Sequence, residues 1–170
     1  MYQPKKLNIT CGDLFKSKAQ SLAHCVSRDL KMSAGIAVEF REKYGHVNLL
    51  REQGPEVGNL VYLEFEFSDA DTPIKVDGQP KYIFYLVTKE LYFHKPTMDN
   101  FTQCMSQLAT VCHELDVKSL AIPKIGCGLD KLKFLQVVKI IDNLFENVNT
   151  DITMYLLPGD PDYNKIKMNN

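Results

Sequence analysis

The chain has 170 residues, 45% of them hydrophobic and 24% charged, which suits one domain with its own core and excludes a disordered chain. Twenty Lys and Arg against 21 Asp and Glu leave a net charge of −1, so a general electrostatic grip on nucleic acid is excluded. No apolar run approaches the ~20 residues of a membrane helix, and no signal-peptide h-region follows the start.

Residues 7–11, Leu-Asn-Ile-Thr-Cys, alternate as a short strand that Gly12-Asp13 ends. Residues 21–26 are small and apolar, as in a strand buried on both faces. Over residues 34–44, Ile36, Phe40 and Tyr44 share one helical face, and Gly45 supplies the stop. Residues 60–67 alternate as an amphipathic strand; the polar stretch through Asp69, Asp71, Pro73 and Asp77-Gly78 reads as a long turn between paired strands. Residues 82–88 give the strongest strand signal.

Pro96-Thr97 opens a helix over 98–115, with Phe101, Met105, Leu108 and Cys112 at helical spacing. Residues 119–123 form a short buried strand running into Lys124-Ile125-Gly126-Cys127-Gly128-Leu129-Asp130, and 132–145 repeat at helical period. Residues 152–157 close the pattern as a last strand. One domain over 1–157 is expected, followed by a flexible tail over 158–170 with two prolines and many polar residues. The alternation predicts an α/β fold whose ligands gather at the carboxyl ends of the strands.

Several segments could carry chemistry. Gly126-Cys127-Gly128 between a strand and a helix lets backbone N–H groups approach a phosphate. Met32-Ser33-Ala34-Gly35-Ile36-Ala37 repeats that layout, and two such loops suit a diphosphate; the glycine spacing fits neither a P-loop nor G-x-G-x-x-G. Asp13 would accept a hydrogen bond from an exocyclic amine, or simply cap a turn, the commoner role. His24-Cys25 nearly matches the H-C-x5-R pattern of cysteine phosphatases, but Lys31 stands in the arginine position and cannot grip phosphate bidentately. Lys89 at a strand end is either a solvated terminus or a carbon nucleophile. Asp130 is a general acid/base or a helix cap, and spacing favours the cap. The four histidines (24, 46, 94, 113) lack metal-ligand spacing, and five cysteines without a C-x-x-C pair point to reduced thiols in the nucleus or cytoplasm.

Six motifs in order carry a family resemblance: Gly12-Asp13-Leu14-Phe15, residues 21–27, Ala34-Gly35-Ile36-Ala37, Tyr85-Leu86-Val87-Thr88-Lys89, His94-Lys95-Pro96-Thr97 and Ile125-Gly126-Cys127-Gly128-Leu129-Asp130. Together they resemble a macrodomain of the terminal ADP-ribose protein glycohydrolase subfamily, over roughly residues 7–157. The resemblance implies a three-layer α/β/α sandwich with a mixed central sheet. It implies that Asp13 accepts from the adenine amine with Leu14 beside the ring, and that Leu157 packs near the adenosine. Ser27 and Met32, Ser33, Ala34, Gly35, Ile36 and Ala37 would line the distal ribose and diphosphate. Lys124, Ile125, Gly126, Cys127, Gly128 and Leu129 would hold the diphosphate and ribose. Lys89 would attack the anomeric carbon, with Asp130 assisting.

The expected activity is removal of mono-ADP-ribose from protein Glu and Asp esters, with O-acyl-ADP-ribose as a related substrate, no cofactor and no metal. The expected partners are ADP-ribose and ADP-ribosylated proteins, with no nucleic acid, no membrane and a monomeric chain. A reader that binds ADP-ribose without turnover and an ADP-ribose-phosphate phosphatase stand as alternatives. Departures from the subfamily pattern are Ser33 in place of a glycine, a longer 65–79 segment, and Lys133-Phe134 in place of a tryptophan-containing stretch.

Overall fold

The computed structural model describes residues 2–69, 71–125 and 133–166. Gly126, Cys127, Gly128, Leu129 and Asp130 of the expected site therefore lie outside the described residues. The strands are β1 (Asn8–Cys11), β2 (Ser21–Ser27), β3 (Leu60–Glu64), β4 (Tyr82–Lys89), β5 (Ser119–Pro123) and β6 (Asp151–Leu156). The helices are α1 (Ile36–Tyr44), α2 (Val47–Glu52), α3 (Met98–Glu114) and α4 (Phe134–Phe145).

One six-stranded sheet runs in the order β1-β6-β5-β2-β4-β3. Its first five strands are parallel, and β3 pairs antiparallel with β4 at the edge, Leu60 opposite Leu86. The parallel core explains the apolar composition of β2 and β4, because helices cover both faces. On one face Phe101, Met105 and Leu108 of α3 and Val137, Ile141 and Phe145 of α4 pack on Phe84, Leu86, Leu120 and Ile152. On the other, Phe40 of α1 and Leu50 of α2 pack on Leu22, Ile83, Tyr85 and Val87. This is the expected α/β/α sandwich with a mixed sheet.

Local chemistry sets the helix ends. The Thr97 hydroxyl accepts from the Asn100 N–H at 3.1 Å and starts α3. Gly45, at φ 60°, ends α1 with its N–H donating to the Arg41 carbonyl at 2.9 Å. The expected amphipathic strand over 60–67 stops at Glu64, and the last rung is the Phe65 N–H to the Lys81 carbonyl at 2.7 Å. Residues 158–166 depart from the expectation of a flexible tail. A 3₁₀ turn, Pro161–Lys165, is capped by the Asp160 carboxylate, and Ile166 is 6% exposed in the larger core and bridges Tyr2. That apolar anchor draws the segment back onto the domain.

Candidate active site

Five parallel strands bring their carboxyl ends to one edge of the sheet. Cys11 of β1 stands opposite Leu156 of β6, Pro123 of β5 opposite Tyr155, and Ser27 of β2 opposite Lys89 of β4. A register irregularity between Val26 and Ser27 ends the β2–β4 ladder, and the Arg28 N–H then donates to the Lys89 carbonyl at 2.8 Å. Beyond these ends lies an open cavity of about 290 Å³, over the part of the sheet formed by β5, β2 and β4. Ser27, Met32, Ser33, Ala34, Gly35, Ile36, Ala37, Lys89, Lys124 and Ile125 all line it.

The loop from β2 to α1 is held in an uncommon backbone shape. Leu30 and Met32 have φ of 53° and 45°, and Gly35 before α1 has φ 61°. A side chain at Gly35 would meet nothing within 4 Å, so the backbone angle, not space, calls for glycine there. Gly35 caps α1 without a side-chain hydrogen bond, and the helix starts on the cavity wall, where its dipole favours an anion.

Asp29 organises this corner. Its carboxylate accepts from the Ser27 hydroxyl, from the Lys31 N–H at 3.2 Å and from the Tyr92 N–H at 3.1 Å. Burial pushes the Asp29 carboxyl up, but these hydrogen bonds outweigh it and leave the group below the usual carboxylate value. The loops after β2 and β4 are thus tied together beside Lys89. Neither Asp29 nor Tyr92, which also lines the cavity, was singled out by sequence; their only signal is proximity to the motifs.

Lys124 enters from β5. Its ammonium lies 3.0 Å from Asp160 and 2.7 Å from Asp162, and 5.4 Å from the centre of the Phe134 ring. Burial alone would lower its pKa, but the two carboxylates outweigh burial and raise it. Asp13, Leu14 and Leu157 sit on the same sheet edge, off the cavity wall. The Asp13 carboxylate accepts from the Phe15 N–H at 2.9 Å as a cap, Leu14 is 4% exposed in the core, and Leu157 is 74% exposed.

His24 is wholly buried, stacked on Phe40 at 3.8 Å between ring centres, and among the described residues neither ring nitrogen has a hydrogen-bond partner. Burial lowers its pKa to about 3. It points to the α1 face, whereas Cys25 packs towards the other core, so the two do not form a nucleophile–base pair. Lys31, which would have to hold the phosphate in a phosphatase loop, instead lies 4.5 Å over the Tyr92 ring. The phosphatase pattern in the sequence has no counterpart in this geometry.

No family model matches the chain. It is 40% identical over 147 residues to the ADP-ribose glycohydrolase OARD1 of Homo sapiens, covering 86% of this chain and 88% of that protein. The macrodomain of Thermus aquaticus DarG has the same fold, with a TM-score of 0.74 at 21% identity over 89% of this chain and 97% of that one. Thermosipho africanus DarTG in complex with ADP-ribose aligns with a TM-score of 0.76 at 21% identity, over 94% of this chain and 44% of that chain.

Proposed function

The chain belongs to the macrodomain family, and from that premise we propose that it is an ADP-ribose glycohydrolase that releases mono-ADP-ribose from Glu and Asp esters of proteins. The observation that carries this reading is Lys89 on the wall of the same cavity as the 32–37 loop and the open N-terminus of α1. A diphosphate at the loop and helix end is favoured by backbone N–H groups and the helix dipole. The distal ribose then falls towards Lys89.

In this reading the Lys89 amine forms a bond to the anomeric carbon as the bond from that carbon to the ester oxygen breaks. The electron pair leaves with the carboxylate, and the proton of the attacking nitrogen passes to a base. Water then adds to the anomeric carbon, the carbon–nitrogen bond breaks, and ADP-ribose and free lysine are regenerated. Asp130 is the acid/base of this scheme; Ile125, on the cavity wall, is the last described residue before the segment that holds it. Asp13, Leu14 and Leu157, on the same edge, serve the adenosine end. No cofactor takes part.

Release of ADP-ribose from a glutamate-modified protein tests the reading. Loss of release in both Lys89→Ala and Asp130→Ala is expected; normal rates in both overturn the scheme. Calorimetric binding of ADP-ribose without any release would select a reader instead. The partners in this reading are ADP-ribosylated proteins met by a single chain, without nucleic acid or membrane. Among the described residues the thiols of Cys11, Cys104 and Cys112 form no disulfide, which supports a reducing setting, nucleus or cytoplasm. Among the described residues no helix is long and apolar enough to cross a membrane.

A further inference from the structure

The turn that follows Lys89 and Glu90 presents apolar side chains to water. Leu91, Tyr92 and Phe93 are 39%, 47% and 66% exposed, and none belongs to either core cluster. Three consecutive exposed apolar groups add little to either core, and such patches mark contact sites.

The turn is built, not slack. The Tyr92 N–H is anchored on Asp29 at 3.1 Å, and the Leu91 N–H donates to His94 Nδ1 at 3.3 Å. The His94 N–H returns to the Leu91 carbonyl at 3.0 Å. Phe93 stands edge-on to Tyr92 at 5.4 Å and to His94 at 4.8 Å, and the Lys31 ammonium covers the Tyr92 ring. A surface fixed this way loses little entropy when something docks on it.

Charge narrows the occupant. Asp29 is engaged by the hydrogen bonds above and Glu90 by Arg28 at 3.2 Å. Lys31, over the Tyr92 ring, and Lys95, two residues after Phe93, are exposed cations. If Lys89 attacks the anomeric carbon, the group leaving that carbon emerges at this mouth. A small acyl group would end there, whereas a protein continues across the turn.

Resting on the hydrolase reading, we propose that the 91–93 turn is the docking platform for the polypeptide that carries the ADP-ribosyl ester. It takes an apolar side chain next to the modified residue, within an acidic stretch. Phe93, which is not part of the cavity wall, is the residue to test.

The experiment compares kcat/KM of wild type, Phe93→Ala and Phe93→Tyr on three substrates. These are an acidic peptide esterified with ADP-ribose on Glu, O-acetyl-ADP-ribose, and a single-stranded oligonucleotide with base-linked ADP-ribose. Phe93→Ala is expected to lose about five- to ten-fold on the peptide, through KM, as for truncation of an interface aromatic. It should keep wild-type rates on O-acetyl-ADP-ribose, and Phe93→Tyr should restore the peptide rate. Equal losses on peptide and O-acetyl-ADP-ribose would overturn the proposal, since Phe93 would then shape the ribose site. So would no loss on the peptide, or a loss confined to the oligonucleotide. Wild-type protein inert towards all three would instead remove the hydrolase reading, and the platform with it.

Discussion

Two lysines reach one cavity from strands on either side of β2, and they are held in opposite ways. Lys124, beyond β5, is clamped by Asp160 and Asp162, and those carboxylates keep it protonated. Lys89, at the end of β4, is fixed through its backbone by the β2 pairing and the Arg28 N–H. Among the described residues no carboxylate lies within ion-pair distance of its ammonium. Paired carboxylates hold the Lys124 ammonium in place, whereas Lys89 lines the cavity with no such clamp among the described residues. The same residue type, at the ends of strands on either side of β2, thus stands in two different surroundings.

The largest expected effect breaks the comparison at Lys89. Lys89→Ala should lower single-turnover ADP-ribose release by on the order of 10³-fold or more, as removal of a nucleophile does. Lys89→Arg should not restore it, because a guanidinium stays protonated. The lysyl glycosylamine can open to an imine as its N–H proton passes to the ring oxygen, so borohydride added during turnover should add mass to the peptide containing residue 89, in wild type only. ADP-ribose binding, measured by calorimetry, should persist in both variants. Lys124→Ala should do the reverse and raise KM with little change in kcat.

The strand between the two lysines carries a pH dependence of stability. The folded pKa of His24, about 3, lies below the 6.5 of a free imidazole. The unfolded chain therefore takes up a proton as pH falls below 6.5 while the folded chain does not. The His24 contribution is intact above that value and is lost on acidification at about 1.4 kcal/mol per pH unit, or about 2 kcal/mol by pH 5. His24→Phe keeps a ring to stack on Phe40 and removes the two unpartnered nitrogens. Its urea midpoint should fall less between pH 7 and pH 5 than that of wild type. Equal falls in the two proteins would mean that the imidazole is not shielded as the packing requires.

What sequence revealed and what it missed divides along contact distance. The apolar runs of β2 and β4, the Thr97 start of α3 and the Gly45 stop of α1 depend on neighbouring residues, and all were legible. Helix α2 was not, because six residues give too short a pattern and it is entered through His46 at φ 56°. At the candidate site, Ser27 and Lys89 end strands and Lys124 and Ile125 follow one, so local pattern was enough to place them, with the 32–37 stretch, at the strand ends. The clamp on Lys124 escaped notice, since its partner Asp160 lies 36 residues away in a stretch whose prolines and polar residues read as a loose tail. Tyr92 on Asp29 escaped for the same reason, at a separation of 63 residues.

The smallest expected effect sharpens the comparison from the Lys124 side. A diphosphate near Lys124 meets the negative charge of Asp160 and Asp162, whose side chains are 15% and 18% exposed and so only partly screened by water. Ligand and carboxylates therefore compete for one ammonium. Converting both to Asn should tighten ADP-ribose binding about three-fold, with the gain shrinking as salt is raised past the ~10 Å screening length of 0.1 M. Stability should fall by no more than about 1 kcal/mol, the usual worth of such pairs near a surface. Because Lys89 is untouched, kcat should hold while KM falls. An unchanged KM would show that Lys124 spends its charge wholly on fastening the C-terminal turn, and that the diphosphate is held by backbone alone.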